Sequence, residues 1–267
     1  GFAWDVPFDG DLNLTVGATY YEIEVNNTIV ESSTGSIING CYNDDNFNST
    51  LCQRVVRGSD GLIDNVDAGF VNRDNLTVRG IDVNLNMDKT FDIYGKPVDF
   101  GLDVVMTHTK ENSELFLGDP GPEDDDYEDY TGEFGLPKWS GTVNLRARVD
   151  DFRINWQTRY IEGVETIDIR DIDGDGDTSE VFTIVSDTCS APNVCRDVGE
   201  ADDYFVHTLS VFYENNDWTL GFGIRNVFND APPSVDPSEA FVIGNAPIGQ
   251  GYDLNGRRYF FNVSRRF

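Results

Sequence analysis

Apolar and polar side chains alternate along this chain with a period of two, the signature of strands with one apolar face. In 139–149, WSGTVNLRARV, Trp139, Val143, Leu145, Ala147 and Val149 share one face, and Ser140, Thr142, Asn144, Arg146 and Arg148 share the other. Asp150-Asp151 then forms a two-residue hairpin turn. The run 152–160, FRINWQTRY, repeats the pattern, with Phe152, Ile154, Trp156 and Tyr160 opposing Arg153, Asn155, Gln157 and Arg159. A second hairpin has Leu209, Val211 and Tyr213 before Asn215-Asn216, and Trp218, Leu220, Phe222, Ile224 and Phe228 after it. Two more strands flank FDIYGK, 91–96: Ile81, Val83, Leu85 and Met87 mark the first, Val98, Phe100, Leu102, Val104 and Met106 the second. Leu12, Leu14, Val16, Ala18 and Tyr20 mark another, and residues 1–8 read as the tail of a strand.

The predicted connections alternate short and long. Short ones lie near Asp9-Gly10, 91–96, 150–151 and 215–216; long ones near 28–72, 113–136, 169–203 and 229–255. A soluble sandwich has no reason to gather every long loop at one end, whereas an outer-membrane barrel does. The strands reach roughly 10 residues, the length that crosses a bilayer when tilted. Trp139, Trp156, Tyr160, Tyr213 and Trp218 are placed near strand ends, where interfacial aromatic girdles belong. Arg146, Arg148, Arg153 and Arg159 are then expected to face a polar lumen.

Composition narrows the function classes. The 267 residues include 48 Asp+Glu against 19 Lys+Arg, a net charge of −29, which excludes nucleic acid as a partner. No run of about 18 apolar residues exists to form a membrane helix, which says nothing against a barrel. The chain opens GFAWDVPFDG, without a secretion signal, and is expected to be a piece of a longer protein. Nine acids and no Lys or Arg occupy 113–136, a stretch best read as a solvated acidic loop. Such loops disfavour capture of a polyanion by charge alone.

Four cysteines fall into two local pairs, Cys41 with Cys52 and Cys189 with Cys195, in polar, turn-rich stretches. Two loop disulfides are expected, with four unpaired thiols as the alternative. The stretch 171–180, DIDGDGDTSE, places Asp171, Asp173, Asp175 and Asp177 at every second position, as in the first half of a calcium loop. Position twelve of that pattern is Phe182, and Glu180 comes two residues early; the bland reading is a flexible acidic turn. Calcium there is the one cofactor the residues suggest, and none is required. No catalytic motif is present, so no enzyme activity is expected.

The ending YDLNGRRYFFNVSRRF, 252–267, closely resembles the C-terminal end of TonB-dependent receptors, the active transporters of Gram-negative outer membranes. Tyr259, Phe261, Val263 and Phe267 match the alternating apolar positions by which, in that family, the barrel-assembly machinery takes up the chain. Arg265 departs from the family's usual Tyr or other apolar residue. The stretches 74–86, 134–161 and 217–233 resemble further strands of that family in order, and 41–67 resembles a disulfide-closed extracellular loop.

The resemblance implies an all-β, antiparallel transmembrane β-barrel, with this chain, 1–267, supplying about the last nine strands of a roughly 22-stranded plugged barrel. It implies a cell outer membrane location and active import of a ferric siderophore, cobalamin or oligosaccharide. Outer-membrane lipid, the plug domain and remaining strands, and the TonB energy-coupling complex acting through the missing N-terminal part are the implied partners. Loop aromatics Tyr42, Phe47, Phe116, Tyr127 and Tyr130 become candidates for gripping a small-molecule or oligosaccharide ligand. Arg146, Arg159 and Arg225 become candidates for pairing with acidic groups of the plug. Two other readings stay open: a passive porin-like or surface-binding barrel, and a soluble secreted β-sandwich with a calcium loop.

Overall fold

The computed structural model describes residues 1–8, 11–31, 33–42, 47, 49–72, 75–116, 126–165, 200–235 and 240–266. They form two compact units: Gly1–Tyr20 with Gly80–Thr109 and Thr131–Phe267, and Tyr21–Arg79 with Lys110–Tyr130. Nine strands follow one another in a single open sheet whose spatial order is their chain order. They are β1 (Phe2–Val6), β2 (Leu12–Val25), β3 (Asn75–Ile93), β4 (Lys96–Phe116), β5 (Trp139–Val149), β6 (Phe152–Ile161), β7 (Tyr204–Glu214), β8 (Trp218–Arg225) and β9 (Arg258–Arg265). A short strand, Asp126–Asp129, pairs with the end of β4. The long connections join β2 to β3, β4 to β5, β6 to β7 and β8 to β9, as the alternation predicts.

In the first unit the register keeps the two faces apart. Leu102, Leu145, Trp156, Leu209, Ile224 and Tyr259 are paired in one row across six strands. The adjacent row is Asp103, Asn144, Gln157, Thr208, Arg225 and Arg258. A slip of one residue at any strand would exchange its faces, so the apolar pattern itself fixes the pairing.

No second layer covers the apolar face among the described residues. Phe222 is 46%, Tyr259 65% and Phe261 71% exposed. A sandwich buries that face against another sheet, gaining about 1.5–3 kcal/mol for each large side chain. Among the described residues this is not the arrangement of a soluble sandwich.

Short turns close the opposite end. The β3–β4 turn is tighter than the predicted 91–96: only Tyr94 and Gly95 lie outside strands, at φ 55° and 76°. Two positive φ values give the turn whose twist matches antiparallel strands. The Asp92 carboxylate accepts from the Gly95 N–H at 2.8 Å. Asn215 Oδ1 accepts from the N–H groups of Asp217 and Trp218, at 3.0 and 2.8 Å. Lys96 pairs with Asp150, tying two of these turns together.

At its other end β8 stops at Asn226, which is fully buried at φ 52°. Its amide donates to the Asp230 carbonyl and accepts from the Asp230 N–H, both at 2.8 Å. This clamp ends the period-two run before Phe228, which the sequence pattern had kept on the strand. Trp156 also departs from expectation: it lies midway along β6 rather than near an end. Its ring meets those of His207 and Phe228, at 5.3 and 6.2 Å, in a cluster on the apolar face.

The second unit holds a small folded body where the sequence reading has only a loop. It contains α1 (Thr34–Tyr42), a 3-10 turn at Thr50–Arg54 and two short ladders, Ile29–Glu31 with Phe70–Asn72 and Val55–Arg57 with Ile63–Val66. Ile37 and Cys41, four residues apart on α1, are buried, as is Leu51. Arg79 on β3 reaches Glu22 and Glu111 at 2.7 Å each and Glu24 at 3.3 Å, joining β2, β3 and β4.

Placing a charge on the uncovered face tests the solvent assignment. Phe222→Arg, midway along β8, is expected to cost about 2–4 kcal/mol in lipid. Denaturant unfolding in vesicles measures it; an unchanged midpoint would contradict a lipid-facing position.

Candidate functional site

The polar face of β6 to β9 carries the candidate site, and glycines shape it. A Cβ on Gly223 would collide with the Phe260 ring, and one on Gly221 with the Phe212 ring. The two rings therefore lie down on bare backbone, leaving their upper faces for cations. Arg225 sits over Phe260 with its guanidinium 5.6 Å from the ring centre, and Arg153 over Phe212 at 4.8 Å. Each layer runs glycine, aromatic, arginine, with a cation–π contact between the last two, and Arg153 also pairs with Glu214 at 2.8 Å.

Beyond these layers, the connection from β8 to β9 folds back onto the polar face. Val235 and Tyr252 pack with Ile161, Val164, Tyr204 and Val206 into a small core. The Tyr204 and Tyr252 rings meet edge to face at 5.1 Å, and the Tyr204 hydroxyl oxygen accepts from the Asp253 N–H at 3.3 Å. Burial pushes the Tyr252 phenol up to about 12. Beside this core opens a recess of about 500 Å³ whose charged lining is Arg159, Arg225, Arg258 and Asp253, with Gln157, Thr208 and Asn255 between them.

The three arginines expected to pair with a plug, Arg146, Arg159 and Arg225, share the polar face but differ in electrostatic state. Arg146 lies against Gly101 and is matched by two carboxylates, Asp103 at 3.0 Å and Asp88 at 3.3 Å. Arg159 and Arg225 have no carboxylate partner among the described residues. Arg258, which the sequence reading passed over, pairs with Asp253 at 3.4 Å. Its signal was the pairing that sets it opposite Arg225, invisible until β8 and β9 are in register.

Other predicted residues fall elsewhere. Tyr259, Phe261 and Val263 stand on the apolar face of edge strand β9, and Arg265 lies over the Trp218 ring at 5.1 Å. An arginine there keeps its stem on apolar surface and its head on an aromatic partner. Phe267 lies outside the described residues, as do Cys189, Cys195, Asp171, Asp173, Asp175, Asp177 and Glu180. Cys41 and Cys52 form a disulfide. Near it, Tyr42 and Phe47 meet edge to face at 5.8 Å, and Arg57 lies over Tyr42 and donates to its hydroxyl and to the Gly61 carbonyl. Tyr127 and Tyr130 donate instead to Glu111 and Glu128, at 3.1 Å each, and Phe116 closes β4. The structure thus groups Tyr42 with Phe47 but ties Tyr127 and Tyr130 to carboxylates.

Two expectations follow. Peptides containing Cys41 and Cys52 should remain linked in a non-reducing digest, and replacing both cysteines with Ser should destabilise the loop by about 3 kcal/mol; free-thiol labelling of the native protein would contradict this. Because the Tyr252 phenol is raised in the folded state, its contribution to stability is fully present below about pH 10 and is lost as pH rises towards 12. Alkaline titration of phenolate absorbance, wild type minus Tyr252→Phe, should show one phenol ionising about 2 units above the ordinary value; a difference curve centred near 10 would contradict the packing.

A family model described as TonB dependent receptor-like, beta-barrel matches residues 1–227. No curated protein sequence matches the chain. Among solved structures, a mutant of the ferric enterobactin receptor from Pseudomonas aeruginosa is similar with a TM-score of 0.50 and 14% identity, over 98% of this chain and 29% of that one. The ferric-catecholate import receptor of E. coli gives a TM-score of 0.39 at 14% identity, over 98% of this chain and 26% of that one. At such identity the first likeness concerns fold alone. This chain spans less than a third of the length of either receptor. With the family model covering most of a sheet already apolar on one side and polar on the other, the chain belongs to the TonB dependent receptor-like β-barrel family.

Proposed function

We propose that the chain serves as the C-terminal barrel wall of an outer-membrane receptor that imports a scarce ligand at the expense of TonB-coupled energy. The uncovered apolar face carries this reading, together with family membership. A wall that is apolar outside and polar inside separates lipid from a solute path. In this reading the ligand is captured outside, and a plug held within the barrel is displaced to let it through. No bond is made or broken, so the protein is a transporter and not an enzyme. The remaining strands, the plug, the TonB complex and the assembly machinery are the partners the reading requires. Ferric siderophore, cobalamin and oligosaccharide are the ligand classes it offers.

The test compares the source bacterium with strains lacking the receptor or TonB. Growth is measured with iron chelate, cobalamin or oligosaccharide as the limiting nutrient. The expected result is a defect on one nutrient class, shared by both mutants. A receptor-dependent growth advantage that persists without TonB would replace this reading with a passive, porin-like channel.

A further inference from the structure

A second recess, of about 670 Å³, opens where β7 leaves its long connection. Phe205, His207 and Phe228 give it an aromatic wall. Its charge comes from Asp202, Asp203 and Asp230, with no Lys or Arg in the lining among the described residues. We infer that this recess seats a lipid of the outer leaflet whose headgroup carries an ammonium group. The inference rests on the barrel-wall reading and names a partner for its lipid face.

Alternation sets the aromatic wall on the membrane side. Phe205 and His207 lie four and two residues before Leu209, on the apolar face, and pair with Tyr160 and Thr158 of β6. Phe205 stacks on Tyr160 at 4.9 Å, and His207 meets Phe228 edge to face at 5.0 Å. The Thr158 hydroxyl and His207 Nδ1 lie 2.9 Å apart, which fixes the imidazole within the cluster. Phe205 and Phe228 nonetheless stay 43% and 59% exposed. The recess is thus continuous with the uncovered apolar face, at the strand end, where aromatic side chains meet headgroups. That continuity points to a lipid as its occupant.

Charge complementarity selects the headgroup. Asp203 is engaged, accepting from the Gly163 N–H at 2.8 Å and the Tyr160 hydroxyl at 3.3 Å. Asp202 and Asp230 have no cationic partner among the described residues. An anionic headgroup would meet carboxylates and no cation. An ammonium group would meet carboxylates and aromatic faces, both of which attract it. Among the described residues no three His, Cys, Asp or Glu side chains converge to hold a metal ion, so the lining suits a diffuse organic cation.

Phosphatidylethanolamine is the probe, and phosphatidylglycerol with the same chains is its anionic counterpart. The full-length receptor is delipidated in non-ionic detergent, each lipid is titrated in, and adducts are measured by native mass spectrometry. The ethanolamine lipid should bind at least about tenfold more tightly than the glycerol lipid. D202N/D230N should erase that preference, and F228A should weaken it. D151N/D217N removes the same charge from the short turns at the other end of the sheet and should keep the preference. Circular dichroism checks that the variants fold. Equal binding of the two lipids by wild type, or an unchanged preference in D202N/D230N, would overturn the proposal. Equal loss in D151N/D217N would also overturn it, by reducing the effect to general surface charge. So would glycerophosphoethanolamine, the headgroup without chains, binding as tightly as the lipid, since the occupant would then be a solute. Binding in detergent needs no TonB, so failure of the import reading is registered separately, in the growth test.

Discussion

Hydrocarbon offers a peptide group no hydrogen-bond partner, and each unpaired N–H or C=O left there costs several kcal/mol. The rest of this structure depends on that constraint. Among the described residues no helix is long and apolar enough to cross a membrane, so in hydrocarbon inter-strand ladders would have to satisfy it, and the nine strands form one continuous set of them. The membrane reading also requires that edge strands β1 and β9 meet partners, since an open edge in lipid repeats the same penalty along its length. Only the ladder needs to be perfect; side chains are free to specialise by face.

That freedom is used differently on each side. The apolar-face side chains are large and exposed, as suits lipid for their solvent in the membrane reading. The inward side chains are layered: glycine admits an aromatic ring, and the ring supports an arginine. Arg153 in these layers also pairs with Glu214 at 2.8 Å. The small core around Tyr204 and Tyr252 anchors the connection that borders the same recess. Strand pairing and glycine placement are thus successive consequences of one register.

The strands were legible because their signal is long and simple. The row from Leu102 through Leu145 and Trp156 to Tyr259 follows from alternation alone once neighbours pair in order. The folded body around α1 was not, because nine residues containing Gly35 and Gly40 are too few to display a helical period. The end of β8 depended on the Asn226 clamp, which is a side-chain contact with no trace in hydropathy. Polar-face arginines were recognisable as a class from Arg146 and Arg159, but sorting them needed partners. Asp88 and Asp103 reach Arg146 from other strands, and Arg258 joins Arg225 only across the β8–β9 pair. Long-range pairing is what a single sequence conceals.

The central claim is that the two faces of the sheet meet different solvents. A nitroxide scan along β8 tests it most directly, one label at a time from Trp218 to Arg225, with the full-length protein in lipid bilayers. Accessibility to oxygen, which concentrates in hydrocarbon, should peak at 218, 220, 222 and 224 and fall at the positions between. A flat profile, or equal accessibility to a water-soluble nickel chelate at every position, would contradict the account.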